Sequence, residues 1–160
     1  PLTEGGWNLE VDVACNYYDA FGIDEYLARA VTVLSLCSYD DSWNRRYYVC
    51  KLTGIYLDKH IKETFDILQD CGLSFGETVN IIGLVFGERY SNMKDLMKAV
   101  EIISSHPDEL IATDFSQLSD GARILAIKTM DNDAEKFKTK LLSCVNDSSK
   151  EVRDELASVI

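Results

Sequence analysis

Between Pro1 and Pro107 the chain contains no proline, and over that stretch apolar residues recur at three- and four-residue intervals. Proline is the residue that most effectively breaks a helix, because it lacks an amide N–H and clashes with the preceding turn. Its absence, joined to that spacing, predicts a chain of helices. Asp24 reads as an N-cap, followed by Leu27, Ala30, Val31, Leu34 and Cys37 on one face. Ser38 to Ser42 forms a polar turn, and a helix then runs from Trp43 to Leu57 with Tyr47, Cys50 and Gly54 at near-helical spacing. His60 to Cys71 follows, with Ile61, Phe65 and Leu68 inward and Gly72 as the residue just past the helix end.

Ser74-Phe75-Gly76-Glu77 fits a capping box, in which the Ser and Glu side chains satisfy unpaired amides at a helix start. The helix it opens, to about Tyr90, is apolar nearly all round apart from Asn80, which predicts burial on several sides. Gly83 and Gly87 lie within it, at a cost in helix propensity of about 1 kcal/mol each. Close approach of a neighbouring helix explains them, and a hinge is the alternative. Ser91-Asn92 caps the next helix, with Met93, Leu96, Met97, Val100 and Ile103 as its inward stripe. Pro107 suits the first position of a short helix reaching Thr113, and segments 118–130, 134–145 and 149–160 complete the chain. Asp133 reads as the N-cap of the second of these. Short connections predict an all-α fold of stacked antiparallel helix pairs, forming a single domain over 1–160. Residues 1–22 form an irregular N-terminal segment that reads equally as strand or helix. A start without Met and a stop inside a helix read as a fragment of a longer protein.

The net charge is −11, with 16 basic against 27 acidic residues. Nucleic acids and anionic membranes are bound by clustered Lys and Arg. The densest basic cluster, Arg45-Arg46, follows shortly after Asp40-Asp41, so neither partner is expected. An acidic surface favours solubility or a basic protein or peptide. Five cysteines are present, without a C-x-x-C pair. Their odd number and apolar surroundings predict reduced thiols in an intracellular, cytoplasmic setting. No apolar run is long enough to span a bilayer.

The C-terminal third is the most specific. Asn146-Asp147-Ser148-Ser149-Lys150-Glu151-Val152-Arg153 is a tight polar turn followed by a helix start, with Ser148 and Glu151 spaced as a capping box. Val152, Leu156, Val159 and Ile160 continue one apolar face, and Phe137, Leu141, Leu142 and Cys144 or Val145 precede it for the same interface. About thirty residues earlier Ala122-Arg123, Ala126 and Met130 repeat the layout, with Asp120 ahead of the Arg. Residues 108–160 thus resemble HEAT repeats of the armadillo-type α-solenoids. The spacing is shorter than in that family, and residues 1–105 carry no clear copy. The resemblance implies a right-handed α-solenoid in which an Asp–Arg ladder links adjacent repeats. Arg153 and Asp147, with Asp120 and Arg123 in the earlier copy, are the candidates for it. It also implies a protein-interaction or scaffold role, or an architectural region of a large enzyme whose catalytic domain lies elsewhere.

Catalytic motifs are absent. His60 and His106 have no Cys or carboxylate at zinc-ligand spacing. Asp131-Asn132-Asp133-Ala134-Glu135 opens like a calcium loop but carries Lys136 and Leu142 at the Gly and bidentate-Glu positions. No P-loop, G-x-S-x-G or G-x-G-x-x-G occurs, so no cofactor, metal or catalysis is expected. The candidate partner-binding residues are Trp43, Arg46 and Tyr47, since aromatic residues and Arg dominate interface hot spots.

Overall fold

In the computed structural model the residues described are 13, 16–36, 43–86 and 93–159, with side chains for all of them except 35–36 and 43–48. Every regular element among the described residues is helical. The chain divides into two compact units, Pro1–Leu73 and Ser74–Ile160.

In the first unit residues 16–21 are helical (α1), which resolves the strand-or-helix alternative for that part of the N-terminal segment. Helices α2 (Asp24–Leu36) and α3 (Trp43–Lys59) follow and pack on each other. The expected face of α2 is buried at Leu27, Ala30, Val31 and Leu34, while Cys37 lies outside the described residues. Leu27 and Ala30 meet Leu52 of α3, and Tyr18, Tyr26, Ile55 and Tyr56 close over them. Each fully buried Leu contributes roughly 1.5–3 kcal/mol by leaving water. Asp24 is the first helical residue of α2 rather than its cap, and its carboxylate reaches across to Lys59 Nζ at 2.7 Å.

The predicted helix over 60–71 is interrupted. A 3-10 turn, Ile61–Glu63, precedes a short α4 (Thr64–Asp70), because His60 sits outside helical geometry at φ −123°, ψ 42°. Phe65 and Leu68 are buried as expected, and Ile61 is half-buried. Gly72, at φ 89°, ends α4. Its N–H donates to Gln69 O and that of Leu73 to Leu68 O, the Schellman arrangement that a left-handed glycine permits.

The second unit begins with the capping box as read. Glu77 N–H donates to Ser74 Oγ at 3.2 Å, and Ser74 N–H donates to Glu77 Oε2 at 3.3 Å. The helix they start, α5 (Phe75–Phe86), buries Val79, Ile81, Ile82, Val85 and Phe86. α6 (Met93–Ser104), α7 (Pro107–Ala112), a 3-10 turn (Phe115–Gln117), α8 (Asp120–Asp131), α9 (Lys138–Leu142) and α10 (Lys150–Val159) follow. α8 lies at the centre, packed against α5, α6 and α10. At Gly83 helix α8 does pack close by, but an added Cβ would sit 3.5 Å from Ala122 Cα, an ordinary contact, so the approach alone does not require glycine. Gly87, like the Ser91-Asn92 cap, lies outside the described residues. Pro107 occupies the start of α7 as predicted.

Three local expectations are corrected. The inward stripe of α6 is Ala99, Ile102 and Ile103, while Met93 is 70% and Met97 61% exposed. Small Ala99 and the paired isoleucines set the helix phase against α5 and α8, and this turns the methionines outward. The segment 134–145 is mostly turn, with only α9 in regular helix. Asp133 does not cap a helix: its Oδ1 accepts Lys136 N–H at 3.4 Å within the turn, and Phe137 stands at the N-cap of α9. Finally, Ser149 rather than Ser148 caps α10. Its Oγ accepts Val152 N–H at 3.4 Å and donates to Glu151 Oε2 at 3.0 Å.

Candidate functional site

The predicted partner-binding residues lie at the start of α3. Trp43, Arg46 and Tyr47 have helical backbone, and spacings of three and four place them along one side of the helix. Their side chains lie outside the described residues.

The residues of the predicted ladder form one connected network around the turn before α10. Arg123 projects from the first turn of α8 and, as a residue, is only 9% exposed. Its Nη1 donates to Leu118 O at 2.6 Å, and its Nη2 to Asp120 Oδ1 at 2.6 Å and Asp147 Oδ1 at 3.1 Å. Arg123 Nε lies 2.9 Å from Asp147 Oδ2, completing a forked ion pair between α8 and the 147 turn. Asp147 Oδ1 also accepts the N–H of Ser149, and its main-chain carbonyl accepts Arg153 Nη1. Asp147 therefore ties α8, its own turn and the start of α10 together. The resemblance implies a ladder in which Asp and Arg link adjacent copies. In the structure Arg123 of the earlier copy reaches forward to Asp147 of the later one, while Arg153 meets Asp147 only through the backbone. A second tie runs from Lys128 on α8 to Glu155 on α10 at 2.8 Å.

Local contacts hold Arg123 in place. Ser119 caps α8, accepting Ala122 N–H at 3.2 Å, and Ser119 N–H donates to Asn80 Oδ1 at 3.0 Å. Asn80 Nδ2 donates to Gln117 O at 3.3 Å, so one amide on α5 clamps both sides of the loop that launches α8. The sequence reading passed over this role, although a lone Asn in an otherwise apolar run is its visible signal. Lys140 of α9 similarly donates to Thr113 O at 2.5 Å, with its ammonium 4.6 Å from the Phe115 ring centre.

The titratable groups are engaged in structure. Asp24 is held below the usual carboxylate range, chiefly by its hydrogen bond from Lys59. His60 lies against Tyr56, rings 4.6 Å apart, with Nε2 3.6 Å from Asp24 Oδ2. His106 Nδ1 stands 3.8 Å from Glu109 Oε2. Burial pushes the Cys144 thiol up, and Cys50 is likewise buried. Among the described residues no group of three or more His, Cys, Asp or Glu is placed to hold a metal ion, and no helix is long and apolar enough to cross a membrane.

No family model matches the chain, and no curated protein or solved structure matches it.

Proposed function

We propose that this chain is a HEAT-like segment of a right-handed α-solenoid, built of antiparallel helix pairs, and that it serves as a surface for binding a protein or peptide. The observation that carries the reading is the Arg123–Asp147 ion pair, which joins α8 to the turn before α10. It is the kind of link between successive repeats that the Ala122-Arg123 and Val152-Arg153 pattern implies. In such an architecture each repeat buries too little apolar surface alone, and neighbours supply the rest. Arg123 and Asp147 spend their charges on each other and on neighbouring backbone, which suits a scaffolding role, and the proposed segment contributes no reaction of its own.

The proposed partner is basic, because the chain carries a net charge of −11. Trp43, Arg46 and Tyr47 are its proposed anchors. The free thiol of Cys144 fits a reducing, cytoplasmic setting.

The test is affinity capture from source lysate at low and high salt, with the wild-type chain beside Trp43→Ala and Tyr47→Ala. Circular dichroism verifies that each variant is folded. The proposal expects one partner held at low salt, released at high salt and lost from both variants. A partner retained equally by wild type and variants overturns the choice of surface. Absence of any captured protein with folded bait overturns the binding role.

A further inference from the structure

We draw no further inference here: the strongest candidate, the exposed aromatic patch at the N-terminal end of the first unit, where Tyr17 (45% exposed) lies between Phe21 (63% exposed) and Tyr26 with ring centres 5.8 and 5.2 Å away, carries nothing because nothing in the structure shows what covers it.

Discussion

Replacing Arg123 with Ala removes the one side chain that joins α8 to the 147 turn. The Asp147 side chain is 11% exposed, so its carboxylate is left with the Ser149 N–H but without a countercharge. Removing one partner of a buried ion pair costs about 3–5 kcal/mol. The retained Ser149 bond places this case at the low end, about 3 kcal/mol. The Asp120 contact adds little, since that carboxylate is 65% exposed and such pairs contribute below about 1 kcal/mol. For a unit of this size a loss of that order lowers the melting midpoint by roughly 15 °C. The placement of the tryptophans makes the measurement selective. Both of them, Trp7 and Trp43, precede residue 74, so their fluorescence reports on the first unit, whereas far-UV circular dichroism sees both. Arg123→Ala should move the dichroism transition of the second unit and leave the tryptophan transition in place. A double-mutant cycle with Asp147→Ala should show the two losses to be non-additive by about 2 kcal/mol. Additive losses, or a cost for Arg123→Ala below about 1 kcal/mol, would refute the assignment of Arg123 and Asp147 as a coupled pair.

Gly83→Ala should raise stability by about 0.5–1 kcal/mol, because the added methyl meets Ala122 at ordinary contact distance while the helix gains propensity. Gly83→Leu should lower it by about 1–3 kcal/mol through overpacking against α8, and urea titration of both variants checks the contrast. Cys144 is 3% exposed and its thiol is pushed up by burial, so it should resist alkylation at neutral pH in the native chain and react fully in denaturant. Peptide mass mapping after labelling reads this directly. Because Asp24 is held below its ordinary range by Lys59, its contribution to stability is present above the ordinary carboxylate pKa and is lost as pH falls through the lowered value. Asp24→Asn should therefore flatten part of the acid limb of the stability profile of the first unit, followed by tryptophan fluorescence.

Features whose physics is local were legible in the sequence. Gly72, the Ser74–Glu77 box and Pro107 each depend on groups within about one helical turn, and each stands where the pattern places it. The phase of α6 was legible only in part: Ile103 is buried as read, whereas Met93 and Met97, apolar as well, face outward. What decides between the two faces is the shape of α5 and α8. A helix boundary near His60 was legible, but the 3-10 turn over Ile61–Glu63 was hidden, since no Gly or Pro marks it. Over 131–137 the Asp131-Asn132-Asp133 run offers the backbone side-chain partners that compete with helix, a signal weaker than the apolar spacing around it. In the candidate network the residue types were readable and the wiring was not. Nothing in the spacing of Arg123 says that it reaches Asp147, 24 positions away, as well as Asp120.

The end of α4 and the start of α5 follow one another in the chain, and each is finished by groups on its own side of the junction. Gly72 and Leu73 return their amides to Gln69 and Leu68, while Ser74 and Glu77 exchange theirs with each other. None of these capping hydrogen bonds crosses the peptide link between Leu73 and Ser74. That link is thus a seam in the chain. A spacer, a reporter or a protease site placed there lengthens the polypeptide without removing a partner from either helix end. It is the natural place to part the molecule when each half is to be studied for what it holds.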